Sequence, residues 1–336
     1  MAAPNNAKRH HYIPTTYLER FCNAEGGFLA YHKDRPSEPK SLTPENVGHR
    51  RYYYSQPTES GRDHNTFETF FSQHLESNWP ALVDDMLARK PLTPEQINHL
   101  ANFIAAQYAR VPATRDALEY LHAERLKLEL RHRVATGQIP TPPPDVVGAF
   151  RKKGIEDIFE GLEFSIDPHM SLRGIPETLR HVEDVFDKST FFFLHNTSGT
   201  PFLTSDNPVA WFDPTVPPEH LLPYVHMPDG HVLLLFPVTP WLIVFGGTGY
   251  DTGDWNHIDF PDPRSVATIN ETLCRFAYEW VFAQSREFDA LIARHAALSP
   301  VMSTRAAKAL DGAPLMHWHW VFGERRRKPK WIEPDP

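Results

Sequence analysis

The chain has 336 residues, of which 41% are hydrophobic and 23% are charged, and its formal net charge is -8. This composition is typical of a globular protein and excludes a disordered one. The length allows one extended domain or two closely packed ones. The negative charge argues against a nucleic-acid binder that works by bulk charge, but it leaves room for a local basic groove.

The cysteines and the apolar segments indicate the compartment. Cys22 and Cys274 are too few and too far apart for a disulfide framework or a thiolate metal cage. The N-terminus, MAAPNNAKRHH, lacks the apolar core of a signal peptide. No apolar run approaches the roughly 20 residues that cross a bilayer. We therefore expect a cytoplasmic protein without a membrane partner.

The N-terminal region predicts a short helix followed by a small antiparallel sheet. Apolar side chains from Ile13 to Phe21 recur at near-helical spacing after Pro14. Residues 28–34, FLAYHKD, alternate apolar and polar side chains as a half-buried strand does. Residues 49–55, HRRYYYS, are predicted to be the partner of that strand.

The middle of the chain predicts helices. An apolar stripe begins after Asn65, and Pro80 is expected to kink its helix. The next helix begins with Thr93 as N-cap and Gln96 closing a capping box. It should end near Ala109, because Pro112 disfavours helix at the residue before it. A third, charged helix is predicted to follow.

The later part of the chain turns to strands after two further predicted helices. The segment HVLLLFPVTPWLIVFGG contains two apolar runs on either side of residues 238–240, which suits a buried hairpin. A final amphipathic helix is predicted over about 264–283. The HWHW stretch at 317–320 is interpreted as an alternating strand edge.

We predict an α+β fold with an N-terminal helix and small antiparallel sheet, a helical middle, and a β-rich later half with a C-terminal amphipathic helix. Residues 1–138 form the first part and 139–145, IPTPPPD, a stiff connector. Residues 146–323 are expected to pack on the first part, and 324–336 form a basic, Pro-rich tail. The two parts are expected to make one integrated domain over about 10–283.

Several stretches occur in the order and rough spacing of a known family. They are HHYIPTTYLERF, LTPENVGHRRYYY, FETFFSQHLES, FIAAQYARVP, FLTSDNPV, FPVTPWLIVF and INETLCRFAYEWVFA. This set resembles the DUF4238 family, a bacterial family of unassigned function. The resemblance implies an intracellular protein with paired glutamates on a helix and a TSDNP turn, and it implies no chemistry. The Pro-rich insertion and the tail depart from the family pattern.

The adjacent histidines near the N-terminus are the first candidates for catalysis. Imidazole titrates near neutral pH and binds metals, so His10 and His11 are candidate catalytic residues and Tyr12 a candidate substrate contact. Adjacent residues of a strand point in opposite directions, so at most one histidine faces a given site, and we favour His11. The alternative is that one histidine packs with Tyr12 and the other is solvated.

Two glutamates of the predicted helix form a second candidate group. Glu68 and Glu76 are eight residues apart, which places them roughly 80° from one another around an α-helix. Such carboxylates can bind a divalent metal or divide acid and base roles. His64, one turn before Glu68, would add a nitrogen ligand. The alternative is a solvated edge of an amphipathic helix.

The TSDNP stretch and an arginine complete the candidates. Asp206 can accept backbone N–H groups in an Asx turn, while Asn207 is forced into an extended conformation by the proline that follows. Asp206 and Asn207 are candidate catalytic residues and Ser205 a candidate substrate contact, unless the turn is only structural. Arg110 either holds an anionic group or pairs with a buried carboxylate, for which Asp206 and Glu76 are candidates.

Three functions remain open. The first is a hydrolase, metal-assisted in one version, that acts on a phosphate-containing substrate such as a nucleotide or nucleic acid. Its partner would be a small anionic ligand or a nucleic acid, and its cofactor a divalent metal. The second is a binding or sensor protein that uses the same polar residues. The third is an interaction module with a structural polar network.

Overall fold

The computed structural model describes residues 9–58, 61–63, 65–138, 161–186, 189–225, 230–248, 256–308 and 314–326. The helices are α1 Thr15–Leu18, α2 Thr66–Phe71, α3 Trp79–Leu87, α4 Pro94–Arg110, α5 Pro112–Ala135, α6 Pro168–Arg173, α7 Ile175–Phe186, α8 Pro263–Phe276 and α9 Asp289–His295. A π-helical turn, Ser72–Glu76, lies between α2 and α3, and short 3-10 helices are Glu19–Phe21, Pro44–Asn46, Pro218–His220 and Arg286–Phe288.

The strands form two larger sheets and three two-stranded ribbons. They are β1 Arg9–His11, β2 Phe28–His32, β3 Lys40–Leu42, β4 His49–Arg51, β5 Gln56–Thr58, β6 Gly61–Asp63, β7 Thr190–Asn196, β8 Thr204–Ser205, β9 Ala210–Phe212, β10 Leu233–Thr239, β11 Leu242–Gly247, β12 Asn256–Phe260, β13 Trp280–Ala283, β14 Ser299–Lys308 and β15 Pro314–Gly323. The five-stranded sheet has the order β12-β7-β11-β10-β9, and the four-stranded sheet has the order β3-β2-β13-β8. The predicted α+β class, with a helical middle and a β-rich later half, is confirmed.

The predicted partner of the 28–34 strand is wrong. Strand β4, the start of HRRYYYS, pairs with β1, whereas β2 lies between β3 and β13. The register places Tyr31 opposite Val281, about 250 positions later in the chain. Strand alternation shows which face a residue occupies but not which strand lies beside it, so this long-range pairing has no local signature.

The predicted final helix is too long at its C-terminal end. Helix α8 begins at the N-cap Asp262, whose carboxylate accepts two backbone N–H groups, and it ends at Phe276. The residues predicted as its last turn, 280–283, are strand β13 instead. Lys33 Nζ donates to the carbonyls of Cys274 and Ala277 at 3.1 and 2.9 Å, so a lysine side chain satisfies the end of the helix. The apolar residues on both sides of this break face the core, which is why one helical stripe was predicted.

The predicted capping box and helix boundary of α4 are confirmed. Thr93 accepts the N–H of Gln96, whose side chain accepts the N–H of Thr93 in return. Val111, which precedes Pro112, is extended with ψ of 156°. Helix α4 therefore ends at Arg110, and the chain turns directly into α5. Pro80 begins α3 rather than kinking a continuous helix.

One apolar core contains side chains from both sides of the predicted connector. Tyr17 of α1 is fully buried, and its hydroxyl donates to Pro237 O at 2.8 Å and lies 2.7 Å from Thr204 Oγ1. Trp79 stacks on Phe103 with ring centroids 3.9 Å apart. The first helix is therefore joined to the β-rich half by packing and by hydrogen bonds.

Several predictions concern residues outside the described ones. They are His64, the connector 139–145, the first eight residues and the tail beyond residue 326. The last two described strands, β14 and β15, form a hairpin that was not predicted as such, and HWHW lies in β15. Within the described residues, none of the helices combines the length and the apolar content needed to cross a bilayer.

Candidate functional site

The β1–β4 ribbon positions the N-terminal histidines. His11 lies opposite His49, and their rings are 5.3 Å apart. The backbone carbonyl of Gly48 accepts the N–H groups of Tyr12 and Ile13 and thereby closes the ribbon. Gly48 has φ of +65°, and a Cβ there would lie 3.0 Å from Ile13 Cβ. Only glycine combines this backbone conformation with this close approach.

The two adjacent histidines have different surroundings. His10 is fully buried, its Nδ1 accepts the N–H of Tyr54 at 2.9 Å, and its ring stacks on that of Tyr54. His11 is half-buried, and its Nε2 has no hydrogen-bond partner among the described residues. His10 therefore joins the ribbon to the following turn, while His11 is the histidine that lies beside the glutamates.

The two glutamates reach the ribbon from α2 and from the π-helical turn. The backbone N–H of His11 donates to Glu68 Oε1 at 3.3 Å. Glu76 is the last residue of the π-helical turn. A π-helix advances by less than the 100° per residue of an α-helix, so Glu76 is rotated toward the face of Glu68 relative to a regular helix. The π turn thus reduces the angle between the two side chains below the roughly 80° that a regular helix predicts.

Arg110 lies beneath these carboxylates at the end of α4. Its side chain is completely buried, and Nη1 donates to Glu76 Oε1 at 2.8 Å. The guanidinium lies 4.9 Å from the centroid of the Phe71 ring, and Tyr53 donates its hydroxyl proton to the Arg110 carbonyl at 3.0 Å. Arg110 Nε and Nη2 have no hydrogen-bond partner among the described residues. The arginine therefore has donor capacity beyond its ion pair.

Burial and mutual charge set the protonation of this group. Burial, with a contribution from the negative charge of Glu76, raises the pKa of Glu68 to about 7, although the N–H of His11 and the charge of Arg110 act in the opposite direction. Burial lowers the pKa of the His11 imidazole, and His49 adds to this effect. At neutral pH His11 is therefore mostly neutral, while Glu68 is divided between its two protonation states.

Asp206 lies in a different set of contacts. It is fully buried, and its two carboxylate oxygens accept the N–H groups of Tyr278 and Glu279 at 2.9 and 2.8 Å. Burial, with a contribution from the charge of Glu279, raises the pKa of Asp206 to about 6. Among the described residues, Arg110 has Glu76 as its carboxylate partner and not Asp206. Asp206 holds the connection between α8 and β13 against β8.

Ser205 and Asn207 also bind the surrounding chain. Ser205 Oγ accepts the N–H of Asn207 at 3.1 Å. Asn207 Nδ2 donates to the Tyr224 hydroxyl at 2.6 Å and to the Phe276 carbonyl at 2.7 Å. These contacts fit the second interpretation of the TSDNP stretch, in which the turn has only a structural role.

Tyr12 lies between the two polar groups. Its ring packs on Tyr53 and lies 5.9 Å from the Arg50 guanidinium, which forms an ion pair of 2.7 Å with Glu279. Burial raises the pKa of Tyr12 strongly, and Asp206 raises it further. Tyr12 is therefore a buried, protonated phenol beside Tyr53 and Arg50, and the charge of Asp206 acts on it.

The sequence interpretation placed some residues at the site and missed others. His11, Glu68, Glu76 and Arg110 are brought together, and we call these four residues the carboxylate–arginine site. His49 and the aromatic residues of the 52–54 turn were missed. They belong to a segment that was interpreted only as a strand. The β1–β4 register places His49 beside His11, and the turn after β4 brings the Tyr54 hydroxyl to the His11 carbonyl at 3.2 Å.

A divalent metal needs several oxygen or nitrogen ligands that converge on one point. Among the described residues, no group of three or more His, Cys, Asp or Glu side chains is arranged to hold a metal ion. Glu68 and Glu76 supply carboxylates, but Glu76 is already paired with Arg110. His64, the predicted nitrogen ligand, lies outside the described residues. The described side chains therefore do not fit a resident metal.

Comparison with known proteins identifies a family match without a chemical assignment. The family described as "Protein of unknown function (DUF4238)" matches residues 9–287 of the 336. No curated protein and no solved structure matches the chain significantly. The matched range includes all four residues of the carboxylate–arginine site.

Proposed function

We propose that this chain, which belongs to the DUF4238 family, is a hydrolase. Its substrate contains phosphate, as a nucleotide or a nucleic acid does. The observation that carries the proposal is the proximity of two groups. One is the Glu68 carboxyl, which titrates near neutral pH, and the other is the Arg110 guanidinium with two unpartnered donors. A base and a fixed cation side by side are what hydrolysis of a phosphate ester requires.

Arg110 is assigned the role of binding the phosphoryl group. A guanidinium presents its donors in a planar fork that matches the oxygens of a phosphate. Glu76 holds one edge of this fork through Nη1. Nε and Nη2 on the other edge have no hydrogen-bond partner among the described residues and are closed to solvent, so a phosphoryl group binds there once the neighbouring side chains move aside. Phe71 beneath the guanidinium keeps it from moving and excludes water from one side.

Glu68 is assigned the role of general base. Its ionised form takes a proton from a water molecule while the water oxygen forms the new bond to phosphorus, and the leaving oxygen departs with the bonding electrons. The proton on Glu68 can then pass to the leaving group. A pKa near the working pH makes one carboxyl suitable for both proton transfers. His11, neutral and with Nε2 unpartnered, can donate or accept one hydrogen bond at the same place.

Assistance by a metal ion was predicted from the sequence, and the proposed mechanism does not depend on it. The divalent metal predicted from Glu68, Glu76 and His64 lacks a complete donor set in the described part of the chain. We therefore derive no step through a metal. Elemental analysis of the purified protein, with and without chelator treatment, measures its metal content directly, and stoichiometric metal would add a role for Glu68 as ligand.

The test is turnover of simple phosphate esters by matched variants. Nitrophenol release is measured with p-nitrophenyl phosphate and bis-p-nitrophenyl phosphate, and phosphate release with ATP. Cleavage of a short single-stranded RNA is measured by the appearance of shorter fragments on a gel. We expect Glu68→Gln to lower kcat by about 100-fold or more, the usual size of a general-base effect. Arg110→Lys keeps the charge but loses the fork, so it should weaken turnover as well. Asp84→Asn, which removes an exposed carboxyl of α3, should leave turnover unchanged.

A binding or sensor function is the second candidate, and one observation favours it. Arg110 Nε and Nη2 and His11 Nε2 are almost completely closed to solvent. A ligand that reaches them becomes enclosed, as in a protein that holds its ligand without transforming it. Phosphate or nucleotide binding that is lost in Arg110→Lys, with no turnover in the parent protein, would favour this candidate over the hydrolase.

A further inference from the structure

One cavity shares no residue with the carboxylate–arginine site, although Tyr108 in its wall and Arg110 both belong to α4. It has a volume of about 640 Å³ and lies among the end of α4, α5, the start of α7, residues 222–225 and β15. Cavities that bind small organic ligands usually measure about 300–1,000 Å³. Its main side chains are Tyr108, Leu118, Glu177, Tyr224, Trp318 and Trp320. The cavity is therefore large enough for a ligand with one or two rings.

The inner wall of this cavity is aromatic and closely packed. The Tyr224 ring lies 4.9 Å from the Tyr108 ring and 4.9 Å from the Trp320 ring, and both pairs are edge-to-face. Trp320 and Tyr108 are almost completely buried, whereas Trp318, two residues along the same strand, is 53% exposed. An exposed tryptophan next to a buried aromatic wall leaves a ring face for a planar ligand.

Tyr224 is held in place at a cost to its backbone. Its φ is +57°, a conformation that residues other than glycine rarely adopt. Its hydroxyl accepts from Asn207 Nδ2 at 2.6 Å and donates to the Val209 carbonyl at 3.2 Å. Residues kept in strained conformations occur often at ligand-binding sites, because the surrounding structure must fix them there. The TSDNP turn thus fixes one wall of the cavity.

The charges around the cavity indicate which ligands suit it. Among the lining residues in the described part of the chain, Glu177 is the one carboxylic acid and His319 the one imidazole, and both are exposed. No lysine or arginine is among these lining residues. A negative edge on an apolar, aromatic chamber attracts a cation and repels an anion. Phosphate-containing molecules are thus unsuited to this cavity.

We propose that this cavity is a binding site for a small planar aromatic molecule that carries a positively charged amine. The ring lies against Trp318 and Tyr224, and the amine lies near the Glu177 carboxylate. The proposal is independent of the phosphate site, because the two sites share no residue and favour ligands of opposite charge.

Three probes with the same ring and different charges test this site. They are tryptamine, indole and indole-3-acetate, titrated by isothermal calorimetry into the full chain. We expect tryptamine to bind at least about threefold more tightly than indole-3-acetate, which is the effect of an exposed ion pair. Glu177→Gln should remove this preference and leave indole binding within about twofold of the parent.

Two exposed tryptophans provide a matched pair of variants. Trp318→Ala should weaken the binding of all three probes by about threefold or more, because a stacking surface is lost. Trp241→Ala removes a similarly exposed tryptophan at the turn between β10 and β11, and the binding of the three probes should stay as in the parent. The proposal is overturned if no probe binds at about 1 mM, if Trp318→Ala binds as the parent does, or if Glu177→Gln keeps the preference for tryptamine.

Discussion

Arg110 and Glu76 form an ion pair of 2.8 Å in which the arginine is completely buried and the glutamate is 20% exposed. A second pair, Arg20 with Asp84, has the same 2.8 Å separation, but its side chains are 25% and 65% exposed. The two pairs have the same nitrogen–oxygen distance and differ in solvent exposure. Variants in the two pairs therefore show how burial changes the contribution of an ion pair to the free energy of unfolding.

We expect Glu76→Gln to lower the free energy of unfolding by about 2–4 kcal/mol, because it leaves the buried guanidinium without its counter-charge. Asp84→Asn, in the exposed pair, should cost less than about 1 kcal/mol. Urea unfolding of both variants at pH 7 measures the difference. Equal effects in the two variants would mean that the burial of Arg110 has no energetic consequence.

The raised pKa of Glu68 makes stability depend on pH. The folded pKa of about 7 lies above the unfolded value of about 4.3. The folded state therefore binds more protons between these pH values, and stability falls as pH rises through that window. Glu68→Gln removes this penalty and should stabilise the protein at pH 8 by about 1–2 kcal/mol, allowing for solvent screening.

The comparison at low pH provides the control for this effect. At pH 4 the parent already has Glu68 protonated, and the amide of the variant still accepts the N–H of His11, so the two proteins should be equally stable. Thermal melts at pH 4, 6 and 8 follow the change. A difference that stays constant with pH would show that Glu68 ionises as an ordinary surface carboxyl does.

Substitutions in the segment around the first helix should affect either stability or function, depending on the residue. Phe21 is 3% exposed, so Phe21→Ala should destabilise by about 3–5 kcal/mol, the usual cost of emptying a large core position. His11→Ala keeps the backbone N–H that binds Glu68, so the melting temperature should hardly change while turnover or phosphate binding is lost. An early-melting His11→Ala with full phosphate binding would make the segment purely structural.

Asp206 tests whether the TSDNP turn acts in chemistry. Asp206→Ala leaves the buried N–H of Tyr278 and the partly buried N–H of Glu279 without their acceptor. We expect a loss of about 2–4 kcal/mol in the free energy of unfolding. Denaturant unfolding and the phosphate-ester assay are run on the same preparation. A stable Asp206→Ala that has lost all turnover would restore the catalytic role predicted from the sequence.

The elements with local determinants could be predicted from the sequence. The capping box of Thr93 and Gln96 and the constraint that Pro112 imposes act over three or four residues, and both were located correctly. The hairpin of β10 and β11 was found because each strand is a continuous apolar run. Propensity, capping and alternation are short-range properties, so a single sequence contains them in full.

The candidate site was predicted only in its components. The residue types of His11, Glu68, Glu76 and Arg110 suggested chemistry, but their meeting depends on the β1–β4 register and on the π-helical turn. The TSDNP turn was expected at the same site, but its polar side chains bind the backbone beyond α8 and the Tyr224 hydroxyl.

The sequence by itself determined the α+β class, the ends of α4 and the set of polar residues that can carry chemistry. The tertiary structure decided which strand lies beside which, where α8 gives way to β13, and which carboxylate pairs with Arg110. The physical reason is the distance along the chain over which each interaction acts. Side-chain periodicity and capping depend on neighbours along the chain, whereas strand pairing and burial of an ion pair depend on the free energy of the whole packed core.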